Sequence, residues 1–173
     1  LARLIAERGR MAFPEALRIL RACCAAVQYA HYHRIIHRDL KTANIMVARS
    51  GDVKVMDFGI AHEALKSISR LTRAEAWGTP PYMAPEQELG GVSAGVDLYA
   101  LSVTFYEMLT GELPFKGPNY LAQKREALYA PASARVAGLP PGIDAFFQVA
   151  LAPEPSRRFA AAEALAAAAE RTA

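Results

Sequence analysis

The sequence predicts an α+β fold that is mainly α-helical and contains one small β-hairpin. Three observations predict it: apolar residues at helical spacing after Pro14, two β-branched runs joined by a turn at 45–56, and a long apolar helix at about 95–110. The 173 residues are 53% hydrophobic and 21% charged, which is typical of one globular domain with a real core. A net charge of +3, with scattered basic residues, does not favour a nucleic-acid-binding protein.

The first elements are helical. Residues 1–10 form a short amphipathic piece that we interpret as the end of a helix. Pro14 suits a first helical position, and the apolar spacing that follows predicts a helix up to about His31–His33. Cys23 and Cys24 lie on this helix, where neighbouring side chains point about 100° apart. We therefore expect buried free thiols rather than a disulfide, which suits a reducing compartment.

Residues 44–59, "NIMVARSGDVKVMDFG", predict a hairpin with strands "IMV" and "VKVM" and the turn "RSGD". A polar cluster flanks each strand. "HRDLKTAN" (37–44) runs into the first strand, and "DFG" (57–59) leaves the second. Because a hairpin returns the chain on itself, we expect Asn44 and Asp57 to lie close together.

The second half begins with a long loop, predicted at 60–79 from its weak periodicity. "GTPPYMAPEQ" (78–87) is rich in Pro and Gly and predicts a rigid, irregular segment. A buried helix follows and ends at Gly111. Residues 118–173 alternate short helices with Pro-rich turns, and the last stretch, "FAAAEALAAAAE", strongly favours a helix.

The two polar clusters contain the groups that phosphoryl transfer needs. Asn44 and Asp57 offer the hard oxygen ligands that Mg²⁺ takes together with water and substrate phosphates. Asp39 is a separate carboxylate that could accept the proton of an attacking hydroxyl group. Lys41 lies two residues later and could neutralise a phosphoryl group.

The ordered motifs carry a resemblance. "HRDLKTAN" matches a kinase catalytic loop, "DFG" the metal-binding triplet, and "APE" (84–86) the end of an activation segment. "GTPPYMAPEQ" resembles the P+1 loop, "DLYALS" (97–102) the start of the central helix, and "EPSRR" (154–158) a late motif whose Arg pairs with the APE glutamate. The chain thus resembles the C-terminal lobe of a eukaryotic-type protein kinase, most closely that of bacterial Hanks-type Ser/Thr kinases. The resemblance implies one kinase domain over 1–173, without its N-terminal lobe, with the catalytic loop at 37–44 and the activation segment at 57–86.

The resemblance also implies the chemical roles and the cofactors, ATP and Mg²⁺. Asp39 would be the catalytic base, and Lys41 would contact the γ-phosphate of ATP. Asn44 and Asp57 would bind Mg²⁺ and, through it, the nucleotide.

Five further residues receive activation or structural roles by the same resemblance. Arg38, beside the base, would seek an anion in the activation loop, and Thr79 would hydrogen-bond toward the base and the lysine. Asp97 would support the catalytic-loop backbone, and Glu86 and Arg158 would form a buried ion pair. The loop hydroxyls are either activation-loop phosphosites or only polar loop residues: Ser67, Ser69 and Thr72.

The sequence departs from the family pattern in places. Thr42 stands where these kinases usually have Pro, Tyr99 where they have Trp, and Ser102 where they have Gly, so we expect some crowding at Ser102. More importantly, no G-x-G-x-x-G precedes the catalytic loop, and the first lysine is Lys41. The resemblance implies that the Gly-rich loop, a strand Lys and its Glu partner lie outside this chain. We therefore expect this fragment to be inactive alone.

Two functions remain in competition. The first is ATP-dependent phosphoryl transfer to Ser/Thr of protein substrates by a complete parent enzyme. The second is a stand-alone, non-catalytic lobe that acts as a binding or regulatory module. An unrelated α+β enzyme that uses Mg²⁺ is disfavoured, since the distal motifs would have no reason to be present.

Partners and location follow from the same resemblance. The expected partners are protein substrates, the N-terminal lobe of the same polypeptide, and a second copy for trans-autophosphorylation. The charged start "LARLIAERGR" does not favour a secretory signal, and no apolar run reaches transmembrane length. We expect no nucleic-acid partner and a cytoplasmic location, in a parent that other segments could anchor to a membrane.

Overall fold

The computed structural model describes residues 1–58 and 78–173. Over these residues the chain is mostly helical and contains one two-stranded antiparallel sheet. The α+β, mainly helical prediction is therefore confirmed at this level. The predicted loop at 60–79 falls almost wholly outside the described residues.

The N-terminal part consists of helix α1 (Ala2–Arg8) and helix α2 (Phe13–Tyr32). Helix α2 begins one residue before Pro14, and its apolar stripe faces the core, as the helical spacing predicts. The residues of that stripe are Ala16, Ile19, Leu20, Cys23, Cys24, Val27 and Ala30. Both cysteines are free and buried, and burial raises the pKa of Cys23 to about 12. The thiols are therefore packing groups and not nucleophiles.

A short 3-10 turn (Thr42–Asn44) leads into the hairpin of β1 (Ile45–Val47) and β2 (Val53–Val55). The strands pair antiparallel with Ile45 opposite Val55. The backbone N–H of Met56 donates a 2.9 Å hydrogen bond to the carbonyl of Asn44, which extends the pairing toward both polar clusters. The hairpin prediction is confirmed, and it brings residue 57 next to residue 44.

Helix α3 (Pro85–Glu88) precedes the central helix α4 (Ala94–Thr110), which is buried on nearly all sides. Helix α4 ends at Gly111, whose left-handed φ of 76° suits glycine. A Cβ atom there would lie 2.0 Å from the carbonyl oxygen of Gly9, so only glycine fits. The hydroxyl of buried Ser102, where crowding was expected, donates a 2.7 Å hydrogen bond to the carbonyl of Leu98 in the same helix. This side chain therefore has a hydrogen-bond partner within the helix.

The C-terminal part contains four short helices: α5 (Tyr120–Arg125), α6 (Ala132–Arg135), α7 (Ile143–Ala150) and α8 (Ala162–Glu170). Helix α2 packs against α4, α8 and strand β2, and α4 packs against α7. An aromatic cluster fills the core, with Tyr106 and Phe147 rings 5.3 Å apart in an edge-on arrangement. Helix α8 begins three residues after Phe159, later than the alanine run predicts. In the two described ranges, no helix combines the length and apolar character that crossing a bilayer requires.

Candidate active site

The side chains of Lys41 and Thr79 meet at the carboxylate of Asp39. The Lys41 ammonium lies 2.8 Å from Asp39 Oδ2, and the Thr79 hydroxyl donates 2.7 Å to Asp39 Oδ1. Lys41 Nζ also donates 2.8 Å to Thr79 Oγ1, which closes the triangle. The side chain of Asp39 is 39% exposed and that of Lys41 is 26% exposed. The carboxylate is thus held in place while it stays accessible to a substrate.

Asn44 points back at the same loop. Its amide nitrogen donates 2.9 Å to the backbone carbonyl of Asp39 and lies 3.5 Å from its carboxylate. This orientation leaves the amide oxygen as the atom that can act as a metal ligand. The side-chain nitrogen therefore fixes the direction of the oxygen.

Asp57 follows the second strand and is exposed, with a left-handed φ of 59°. That conformation is uncommon for a residue other than glycine and ends the extended path of the strand at this residue. A carboxylate and an amide oxygen are hard ligands that fit Mg²⁺, which completes its shell with water and phosphate oxygens. In residues 1–58 and 78–173 there is no cluster of three or more His, Cys, Asp or Glu that could hold a metal by itself.

Asp97 hydrogen-bonds to the backbone of the 37–44 segment. Its carboxylate accepts 2.9 Å and 2.8 Å hydrogen bonds from the backbone N–H groups of His37 and Arg38, and it lies 2.7 Å from His31 Nε2. The Asp97 side chain is only 1% exposed. Arg38 has a left-handed φ of 71°, so these bonds hold a strained backbone directly beside Asp39.

His37 joins the two polar clusters. Its Nε2 donates 2.7 Å to the carbonyl of Met56, and its ring centroid lies 4.8 Å from that of Phe58. The imidazole therefore ties the start of the 37–44 segment to the residue preceding Asp57. Sequence reasoning gave His37 and His31 no structural role. A buried carboxylate in the apolar helix α4 is the signal that could have predicted a partner such as His31.

Arg38 has one further contact, from the 78–87 segment. Its carbonyl accepts 2.6 Å from the side-chain amide of Gln87. Its buried Nε has no hydrogen-bond partner among the residues that the structure describes. The candidate phosphosites that it was expected to serve lie outside those residues, as does the glycine of "DFG": Gly59, Ser67, Ser69 and Thr72.

Glu86 and Arg158 form a two-pronged ion pair with N–O distances of 2.7 Å and 2.8 Å. Arg158 also donates to the carbonyls of Ala152 and Pro153, at 2.7 Å and 2.8 Å. Its guanidinium lies 4.7 Å from the ring centroid of Tyr99, and its side chain is 2% exposed. The pair joins the end of the 57–86 segment to the C-terminal part, where Tyr99 supplies the stacking surface.

A second buried link was not predicted. The Tyr82 hydroxyl donates 2.6 Å to Glu107 on α4 and lies 3.1 Å from the hydroxyl of Thr42. Burial raises the pKa of Glu107 and also that of Tyr82. The link connects the loop after Lys41, the 78–87 segment and the central helix.

Known proteins match this chain over nearly its whole length. The model of the protein kinase domain family matches residues 1–168. The serine/threonine-protein kinase PknB of Mycolicibacterium smegmatis is 40% identical over 156 residues, which is 87% of this chain and 25% of that protein. The probable serine/threonine-protein kinase PknB of Corynebacterium glutamicum is 39% identical and covers 96% of this chain and 27% of its own length. Serine/threonine-protein kinase PksC of Streptomyces coelicolor is 38% identical over 93% of this chain and 30% of its own length. The chain therefore spans between a quarter and a third of the length of these relatives.

Proposed function

Because the chain belongs to the protein kinase family, we propose that it is the C-terminal catalytic lobe of an ATP-dependent Ser/Thr protein kinase. The observation that carries the proposal is the partly exposed Asp39 carboxylate, which Lys41 and Thr79 hold at 2.8 Å and 2.7 Å. A carboxylate that is anchored yet accessible suits a group that must receive a proton from an incoming substrate.

In this proposal Asp39 accepts the proton of a Ser or Thr hydroxyl as that oxygen attacks the phosphoryl group. Thr79 holds carboxylate oxygen Oδ1 and Lys41 holds Oδ2, so the direction of the carboxylate toward the substrate is fixed. The Lys41 ammonium bridges Asp39 and Thr79 and offers positive charge to the transferred phosphoryl group.

Asn44 and Asp57 are the proposed Mg²⁺ ligands. The amide nitrogen of Asn44 is used on the carbonyl of Asp39, so its oxygen faces the site. Bound Mg²⁺ would neutralise charge on the phosphate oxygens. The hydrogen bond from Met56 to Asn44 keeps the two ligand-bearing segments together at the base of the hairpin.

The remaining assignments concern support and activation. We assign Asp97 to the support of the catalytic-loop backbone and the Glu86–Arg158 pair to the attachment of the activation segment, 57–86. Arg38 would bind a phosphorylated hydroxyl among Ser67, Ser69 and Thr72, and a second copy of the enzyme would supply the phosphate in trans.

The catalytic lobe would depend on further elements of the same polypeptide. The sequence contains no G-x-G-x-x-G and no lysine before Lys41. A Gly-rich loop and a strand Lys are needed to cover and position the phosphates of ATP. We therefore propose that the 173 residues alone transfer no phosphate.

The test uses the complete gene product that contains this chain. It is incubated with Mg²⁺, a mixture of protein substrates and ATP labelled on the γ-phosphate, and the labelled amino acids are then identified. The proposal expects phosphoserine and phosphothreonine, loss of labelling when Mg²⁺ is chelated, and no labelling by the isolated 173-residue chain. Phosphotyrosine alone would contradict the assigned specificity. Absence of transfer, together with binding of the same substrates, would favour the non-catalytic binding module.

A further inference from the structure

Lys124, on helix α5, is fully buried, with a side-chain exposure of 0%. Lysine is almost never buried to this extent unless its charge is paired. Its ammonium donates 2.5 Å to the carbonyl of Pro80 and forms an ion pair with the carboxylate of Glu88 on α3. It also lies 5.5 Å from the ring centroid of Tyr120. Three neighbouring groups therefore hold one charge at a single point.

The burial of Lys124 has an energetic cost that an apolar residue would avoid. Burial lowers the pKa of Lys124, and the hydrogen bond and charge of Glu88 oppose that shift. Replacing a buried ion pair by apolar side chains of similar size is often neutral or stabilising. Stability alone is thus a weak reason for a lysine here, which directs attention to what its ammonium contacts.

The contacted carbonyl belongs to the turn that carries Thr79. In this turn the N–H groups of Tyr82 and Met83 donate 2.9 Å and 3.2 Å to the carbonyl of Thr79. The Thr79 hydroxyl, on the other side, donates 2.7 Å to the carboxylate of Asp39. Lys124 thus holds the carbonyl of the residue that directly follows Thr79.

We propose that Lys124 is a positioning residue of the peptide-substrate site: with Glu88 it fixes the carbonyl of Pro80 and thereby the 79–83 turn against Asp39. The inference rests on the proposed kinase function and adds to it. It makes α5 part of the substrate-recognition machinery, because a displacement of α5 moves this turn. The contacts of Lys124 do not include Asn44 or Asp57, the proposed Mg²⁺ ligands, so we expect KM for ATP to depend on them far less than the peptide reaction does.

The experiment compares Lys124→Met with Lys116→Met in the complete gene product. Methionine preserves the length and apolar stem of lysine and removes its charge. Lys116 is the matched control, because it is 58% exposed and forms a single ion pair with Glu112 at 2.7 Å. Steady-state phosphorylation of a Ser/Thr peptide gives kcat and KM for the peptide and KM for ATP, and thermal unfolding gives Tm.

Lys124→Met should lower kcat/KM for the peptide by about 100-fold, the loss that follows a misplacement of about 1 Å in a positioned site. Its KM for ATP should match that of the wild type, and Lys116→Met should leave every parameter unchanged. A peptide kcat/KM equal to that of Lys116→Met would overturn the inference. An equal loss for peptide and ATP would also overturn it, since that result indicates a general structural defect.

A second variant covers the case in which Lys124→Met does not fold. Glu88→Gln keeps an oxygen that accepts from Lys124 but replaces a charge-assisted hydrogen bond with a weaker one. It should lower peptide kcat/KM by roughly 10-fold without changing KM for ATP. An unchanged peptide kcat/KM in this variant would contradict the inference. If the wild type transfers no phosphate at all, the proposed function itself is wrong, and the inference is lost with it.

Discussion

Asp39 lies in the 37–44 segment and Asp97 binds the backbone of that segment, yet the surroundings of the two acids differ. The side chain of Asp39 is 39% exposed, and among the described residues its carboxylate contacts the side chains of Lys41, Asn44 and Thr79. Asp97 is 1% exposed, and its carboxylate accepts two backbone N–H groups and contacts His31. The same residue type is thus open in one place and fully enclosed in the other.

The difference fits the proposed roles, in which Asp39 reacts with the substrate and Asp97 supports the loop backbone. A buried carboxylate that accepts several hydrogen bonds is fixed and cannot reach a substrate. A partly exposed carboxylate that is held by side chains remains accessible from solvent. The left-handed backbone of Arg38, next to Asp39, is held by the hydrogen bond from its N–H to Asp97.

The largest effect of a substitution is expected at the accessible residues, at Asp57. Asp57→Ala removes the exposed carboxylate proposed to bind Mg²⁺, so Mg²⁺-dependent phosphotransfer by the complete gene product should fall by at least about 100-fold. Peptide phosphorylation measured over a range of Mg²⁺ concentrations checks it. Asp52→Ala is the control, because Asp52 is an exposed acid in the hairpin turn that bonds to Ser50 at 2.6 Å. Activity of Asp57→Ala that does not depend on Mg²⁺ would contradict the ligand assignment.

Among the buried groups, the largest effect is expected at the ion pair of Glu86 and Arg158. Glu86→Ala leaves the Arg158 charge buried without its partner, so the free energy of unfolding should fall by about 3–5 kcal/mol. Chemical denaturation of the complete gene product measures this free energy, with a signal that reports unfolding of the kinase domain. Glu7→Ala breaks the exposed pair with Arg3, which has an N–O distance of 3.0 Å, and should change stability by no more than about 1 kcal/mol. Equal effects of the two variants would mean that burial of the Glu86 pair is not what stabilises the domain.

A smaller effect is expected at Asp97. Asp97→Asn replaces one acceptor oxygen with a donor that faces other donors, so the free energy of unfolding should fall by about 1–3 kcal/mol. The same denaturation measurement applies, with Asp144→Asn as the control. The Asp144 carboxylate accepts solvent-exposed hydrogen bonds from the N–H and the hydroxyl of Ser133. A free energy of unfolding equal to that of the wild type would contradict the support of the loop by Asp97.

The long elements could be predicted from the sequence because their signals are local. Helical spacing predicted α2 and α4 to within about a residue or two, and the β-branched runs predicted the hairpin. The contacts around Asp39 from Lys41 and Asn44 lie two and five residues away along the chain, so spacing alone makes them plausible. The chemical roles came from resemblance to a family and stay predictions.

The unpredicted contacts join residues far apart in the sequence. His31 and Asp97 are 66 residues apart, and Lys124 and Pro80 are 44 apart. No local pattern distinguishes a lysine on a short helix that is buried from one that is solvated, because the partner carbonyl belongs to another segment. Tertiary packing therefore decided these contacts, and only the fold reveals them.

We propose Asp39 as the catalytic base of a kinase catalytic lobe, and Asp39→Asn tests this assignment most directly. The variant keeps the size of the side chain and an oxygen for Thr79, so nucleotide binding and the thermal unfolding temperature of the complete gene product should stay as in the wild type. Phosphorylation of a Ser/Thr peptide should fall by about 10²–10⁴-fold, the range that general base catalysis contributes. Turnover equal to that of the wild type would contradict the account.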